Sequence, residues 1–160
     1  MISEIYDKEN NRQILTGKGN LLTISHDKPI HESAWNLESD YKMRMWKLDR
    51  ADSIEVREAS AVKGVLRVVR SFNKSVITQD IILKKGSKTL DFETVVDWQE
   101  REKVLKAEFP VAVRSRYASY EIAHGAIERP TFANNSYERA MFEVCAHKWA
   151  DLSEGDYGVS

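Results

Sequence analysis

From Leu90 onward the chain alternates apolar and polar positions. Leu90, Phe92, Thr94, Val96 and Trp98 fall on one side, and Asp91, Glu93, Val95 and Asp97 on the other. A period of two belongs to a strand with one face in a core and one in water. The pattern repeats where Leu105, Ala107, Phe109, Val111 and Val113 alternate with Lys106, Glu108, Pro110, Ala112 and Arg114. Pro110 has no amide hydrogen to give a ladder, so a bulge or a free edge is predicted there. The same reasoning predicts strands over residues 62–72, 76–83, 117–127 and 141–148. Weaker patterns lie at 43–48 and 54–58, and short ones at 2–6 and 21–25.

Turn formers separate these runs. Asn73-Lys74-Ser75, Lys85-Gly86-Ser87 and Gln99-Glu100-Arg101-Glu102 each join two long strands. Short connections between successive strands predict an antiparallel meander. No segment combines helical periodicity with caps over ten or more residues. Residues 27–41, punctuated by Pro29, and residues 129–138 read as irregular polar loops. The predicted class is all-β, a large antiparallel β-sandwich of two sheets packed face to face. At the end, Tyr157-Gly-Val-Ser160 has the residues of a strand after the turn-like Ser153-Glu-Gly-Asp156. A strand that stops in mid-ladder predicts a truncated piece of a longer protein.

Composition narrows the classes. A chain of 160 residues with 42% apolar and 31% charged residues fits one globular domain over residues 1–160. Its net charge of −1 gives no basis for nucleic acid or an anionic membrane as a partner. No apolar run approaches the roughly 20 residues of a membrane span, and the first residues lack a basic-then-apolar leader. Cys145 is the single cysteine, which rules out an internal disulfide and suits a cytoplasmic location. The Asn-x-Ser matches at Asn73 and Asn134 then carry no argument for glycosylation.

Seven strings run in order along the chain: Ile2-Ser-Glu-Ile-Tyr-Asp-Lys-Glu-Asn-Asn-Arg-Gln-Ile-Leu15, Thr89-Leu-Asp-Phe-Glu-Thr-Val-Val-Asp-Trp98, Leu105-Lys-Ala-Glu-Phe-Pro-Val111, Tyr120-Glu-Ile122, Glu128-Arg-Pro-Thr131, Phe142-Glu-Val144 and His147-Lys-Trp-Ala-Asp-Leu-Ser-Glu154. Together they resemble the C-terminal β-domain of the α-mannosidases of glycoside hydrolase family 38. The resemblance covers nearly the whole chain and is thinnest between residues 42 and 70.

It implies a galactose mutarotase-like supersandwich, entered and left partway. In the parent enzyme it implies a preceding metal-binding α/β barrel and a helical bundle, which become this domain's expected partners. Zinc and the aspartate nucleophile that cleave α-mannosidic bonds belong to that barrel. The resemblance therefore implies no catalytic residue, metal ligand or cofactor site within residues 1–160. A mannose-containing oligosaccharide is the implied substrate of the parent.

The chain departs from the family pattern at three places. Ser33-Ala34-Trp35 follows Asp27-Lys28-Pro29 where the family tends to have Asp-Ala-Trp. Phe132 stands where a His usually follows Arg-Pro-Thr, and Tyr137-Glu138 replaces a usual Trp-Asp. These loops approach the sugar in related enzymes by the same implication, which nominates Asp27 and Trp35 as residues bordering substrate.

Other chemistry can be weighed from the residues themselves. Asp91, Glu93 and Asp97 share one strand face, but a glycosidase needs carboxyls facing each other about 5–5.5 Å or 6.5–9.5 Å apart across the sugar. Side chains pointing the same way cannot flank a bond, so a solvated face paired with neighbours such as Lys106 is predicted. His26, Asp27, His31 and Glu32 resemble a metal set only loosely, because two histidines five apart in a loop match no zinc spacing. His124 or His147 with Glu121 or Glu143 would be the pair for mutarotase-type acid–base work, although His147-Lys148-Trp149 reads as local packing. Of the tryptophans, Trp98 shares a face with Phe92 and Val96 and is predicted in the core. Trp149 is predicted to cover an end, and Trp35 to be the exposed platform. Cys145 sits in a strand pattern without a base nearby.

Two rival readings remain on these residues. One is a free-standing carbohydrate-binding module, which would lose sugar affinity on Trp35→Ala. The other is a structural, homo-oligomerising domain whose free edges pair with a second chain.

Overall fold

The computed structural model describes residues 1–32 and 35–160. In chain order the strands are β1 (Tyr6–Asp7), β2 (Arg12–Gln13) and β3 (Leu21–His26), then a 3-10 turn (Tyr41–Met43). Next come β4 (Met45–Lys47), β5 (Ser53–Ala59), β6 (Lys63–Phe72), β7 (Ser75–Lys84), β8 (Leu90–Asp97) and β9 (Lys103–Glu108). The last elements are β10 (Tyr117–Ile122), β11 (Gly125–Pro130), a single helical turn α1 (Ser136–Ala140), β12 (Ala150–Glu154) and β13 (Tyr157–Val159).

The fold is all-β and its named strand pairs are antiparallel, as the alternation predicts. The strands divide among four sheets, ordered β1-β2, β4-β3-β9, β5-β6-β7-β8 and β11-β10-β12-β13. The predicted meander is the four-stranded β5–β8 sheet, in which β6 and β7 pair along all ten residues of each, from Lys63↔Lys84 to Phe72↔Ser75.

That sheet faces β4-β3-β9 across the sandwich interior. Trp46 and Phe72 meet with ring centroids 5.7 Å apart, and Phe92 meets Phe109 edge-on at 5.5 Å. Ile24 on β3 and Ile77 on β7 are fully enclosed at 0% exposure. β3 is buried on both faces from Leu22 to Ser25. Leu22 and Ile24 point into the sandwich, while Thr23 and Ser25 lie under the segment that carries Tyr41. Glu154 ties the β11-β10-β12-β13 sheet to the first hairpin. It accepts from the Arg12 guanidinium and from the Arg114 amide at 2.6 Å, and Arg12 stacks 4.3 Å over the Tyr157 ring.

Three predicted elements differ from those observed. The run after Leu105 is not one strand: β9 ends at Glu108, and beyond Pro110 the chain pairs instead with residues 14–16. Thr16 donates its amide to the Pro110 carbonyl at 2.8 Å, and Ala112 donates to Ile14 at 2.6 Å. The missing amide of Pro110 marks where the chain changes sheets. Residues 117–127 form a hairpin, because His124 takes a left-handed φ of 62° and reverses the chain between β10 and β11. Residues 141–148 are not a strand. Consecutive Phe142 and Glu143 both reach the Tyr41–Lys106 region, which strand alternation would forbid. Within the polar 129–138 loop, Asn135 and Glu138 form a reciprocal capping box that nucleates α1.

The predicted carboxylate face also has different partners. Asp91 pairs with Lys84 at 2.8 Å, and Asp97 accepts from Gln99 at 2.6 Å. Lys106 lies on the other sheet and pairs with Glu143. Trp98 is half-buried just beyond the end of β8, and Thr94 and Val96 on its face are exposed. No helix among the described residues is long and apolar enough to cross a membrane.

Candidate functional site

The end of β3 delivers the chain into the 27–41 segment. The β3–β4 and β3–β9 ladders hold this exit from both sides. The His26 amide donates to the Arg44 carbonyl at 3.0 Å, and the Asp27 amide donates to Glu102 at 2.8 Å. Here His26, Asp27, Lys28, Glu38, Asp40, Tyr41 and Arg44 line a cleft of about 150 Å³. Oδ1 of Asp27 is buried without a hydrogen-bond partner. A carboxylate oxygen withdrawn from water and left unpaired carries a desolvation cost, and a donor supplied from outside would relieve it. Lys28 is turned toward Glu102 at 3.3 Å, leaving His26 and Arg44 as further donors on the lining.

Trp35 projects from the same segment and is 88% exposed. Its amide donates to the Glu32 carbonyl at 2.9 Å, which fixes the backbone while leaving the indole in solvent. Trp35 is not a lining residue of the cleft, so Asp27 and Trp35 share a segment without sharing a pocket. The departure at Ser33-Ala34 lies outside the described residues.

The segment is pinned by a cluster that the sequence reading did not assemble. The Tyr41 hydroxyl donates to Glu143, Lys106 donates to the Tyr41 oxygen at 3.0 Å, and Lys106 meets Glu143 at 2.5 Å. The Phe142 ring lies 6.3 Å from that of Tyr41. Burial pushes the Glu143 carboxyl upward, but hydrogen bonds from Lys106 and Tyr41 outweigh it and hold the group below its ordinary range. Burial lowers Lys106, and its bonds to Glu143 and Tyr41 reverse that and raise it. The three residues lie 65 and 37 positions apart in the chain (41 to 106, 106 to 143), so no local spacing could announce them.

The remaining nominees do not converge. His124 is exposed in the β10–β11 turn, and Glu121 spends its Oε2 on the Lys148 amide at 2.8 Å. His147 is exposed and gives its amide to the Glu121 carbonyl at 3.0 Å. Glu143 is committed to Lys106 and the Glu121 carboxylate accepts from the Lys148 amide, so among the described residues no side-chain hydrogen bond joins either histidine to either glutamate. Cys145 is exposed, with its carbonyl accepting from Arg129 at 3.0 Å. Trp149 is 42% exposed. Among the described residues no group of three or more His, Cys, Asp or Glu side chains is placed to hold a metal ion. The described residues therefore offer no donor set that fits zinc.

A sandwich of antiparallel sheets with a polar cleft at a strand exit defines an all-β module. The chain belongs to the glycosyl hydrolases family 38 C-terminal domain family, whose model matches residues 1–160. It is 36% identical to "Alpha-mannosidase 2C1" of Mus musculus over 145 residues, covering 89% of the chain. It is 36% identical to "Alpha-mannosidase G" of Dictyostelium discoideum over 173 residues, and 36% identical to "Alpha-mannosidase" of Saccharomyces cerevisiae over 170 residues, covering 99% and 98% of the chain. The chain spans 14% to 15% of the length of these relatives.

Proposed function

We propose that residues 1–160 form one non-catalytic β-sandwich domain, of the mutarotase-like supersandwich type, in an enzyme that hydrolyses α-mannosidic bonds. The observation that carries this reading is the match of the family model along the whole chain. Relatives named as α-mannosidases and about seven times longer support it. In such a parent the zinc and the nucleophile lie in an N-terminal barrel, joined through a helical domain. The sandwich supplies packing surface for them in the cytoplasm, where a single cysteine is at home. The cleft at Asp27, with its unpaired buried oxygen, and the exposed Trp35 border the mannose-containing oligosaccharide.

The test is hydrolysis of an aryl α-mannoside. The 160-residue chain shows no turnover with or without added zinc, the full-length parent turns over, and Asp27→Asn in the parent raises KM. Turnover by the 160-residue chain refutes the proposal.

The exposure of Trp35 favours a second reading, a carbohydrate-binding module. On that reading the isolated chain binds mannosides measurably by calorimetry and loses the affinity on Trp35→Ala. A homo-oligomer formed along the free edge of β5 would show instead as a concentration-dependent mass in light scattering.

A further inference from the structure

β6 carries two arginines that meet opposite fates. Arg67 points to the outer face of its sheet, where Nε and Nη2 donate to the two carboxylate oxygens of Asp80 at 2.7 and 2.6 Å. Arg70, three residues on, points into the sandwich and is 1% exposed, the largest side chain so enclosed. The acceptor it reaches is neutral: Nη1 donates to Gln79 Oε1 at 3.2 Å, an oxygen it shares with the Asn20 amide at 3.1 Å. Nε of Arg70 is buried without any acceptor. Burial alone lowers its pKa, with no carboxylate acting against it, although the chain holds 25 Asp and Glu. A guanidinium keeps its charge, so an interior one requires a counter-ion or stands at a large desolvation cost.

The position of the site indicates where the counter-ion would enter. Ile2 and Gly19 bridge by paired amides at 2.8 and 2.9 Å, which seats Met1 at this end of the sandwich. Asn20, next to Gly19, donates to the same Gln79 oxygen that Arg70 reaches, which sets the guanidinium at this end. The polar relay from Arg70 through Gln79 to Thr94, whose hydroxyl accepts from Gln79 at 3.1 Å, holds the guanidinium in place.

We propose that Arg70 is the receptor for a carboxylate side chain carried by another part of the parent polypeptide, received at the Met1–Gly19 end of the sandwich. This rests on the reading of the chain as one domain of a longer α-mannosidase. A carboxylate matches the guanidinium fork in charge and geometry and supplies the acceptor that Nε lacks.

The experiment measures Tm for wild type and Arg70→Met in two contexts, the 160-residue chain and the full-length parent. In the 160-residue chain Arg70→Met removes an uncompensated buried cation, and Tm holds or rises by about 3 °C. In the parent the same substitution strands the incoming carboxylate, and Tm falls by at least as much, while Arg70→Lys recovers part of the loss. A fall, or failure to fold, in the 160-residue chain shows that Arg70 is satisfied internally and overturns the proposal. An unchanged or raised Tm in the parent overturns it as well. Aryl α-mannoside turnover by the wild-type parent is read separately, so failure of the enzyme assignment is distinguishable from failure of the carboxylate seat.

Discussion

The sandwich interior and the 27–44 segment beside it are held together by different physics. Between the β3 and β7 sheets, order comes from burial: Ile24 and Ile77 are sealed, and continuous ladders satisfy their backbone. In the 27–44 segment there are few ladder bonds, and order comes from side chains, chiefly Tyr41, Lys106 and Glu143. The first region tolerates no change of volume, whereas the second depends on charge state. One domain thus combines a stiff body with a polar segment whose geometry a few bonds decide.

The largest effect should come from the interior. Ile24→Ala and Ile77→Ala each remove fully enclosed methyl groups, and each should cost about 2–5 kcal/mol in urea denaturation. For a chain of this size that corresponds to a Tm lower by several degrees at the least, at about 2–4 °C per kcal/mol. A loss under about 1 kcal/mol at both positions would mean that the two sheets do not share this interior, and the contrast between the regions would collapse.

That division also explains what the sequence made legible. Strands of the sandwich other than β3, which is buried on both faces, follow from period-two alternation, because one face turns toward the core and one away from it. β6, β7 and β8 could be read for that reason, and so could the turns at Asn73 and Gly86, where φ is 50° and 72°. Residues 141–148 have the composition of a strand, but their side chains are recruited by Tyr41 and Lys106 from distant parts of the chain. Local pattern contains no record of such partners. Asp27 and Trp35 were nominated by likeness to a family, and the structure assigns them to one segment and separate surroundings. The Asn135–Glu138 capping box, in contrast, is a spacing that could have revealed α1 directly.

An intermediate effect should come from the pinning cluster, and pH should reveal it. Tyr41→Phe removes a hydroxyl that is bonded to both charged partners in a nearly enclosed position, and should cost about 1–2 kcal/mol. Glu143 sits below its ordinary value of 4.5, so its contribution is complete above that pH and is lost as the pH falls through the depressed value. Lys106 is raised, so its contribution is complete below 10.5 and is lost as the pH rises through the raised value. Between the two windows Glu143→Gln should be less stable than wild type, and the gap should close on acidification below about pH 4.5. A gap that does not narrow as the pH falls below 4.5 would show that Glu143 acts by packing and not by charge.

The smallest effect should be local to the hairpin that ends the sheet of β10 and β11. His124 holds a φ of 62° in the turn between Ile122 and Gly125, a conformation that costs a β-carbon-bearing residue about 1–2 kcal/mol. His124→Gly removes that strain, while glycine's greater freedom in the unfolded chain returns part of the gain. The net should be a stabilisation of about 0.5 kcal/mol, with His124→Asn close to neutral, since asparagine tolerates the left-handed region better than most side chains. Because His124 is exposed, neither substitution should move the acid transition set by Glu143. If His124→Gly shifted that transition, the hairpin and the pinning cluster would be one cooperative unit, coupled through Glu121 and the 147–148 amides.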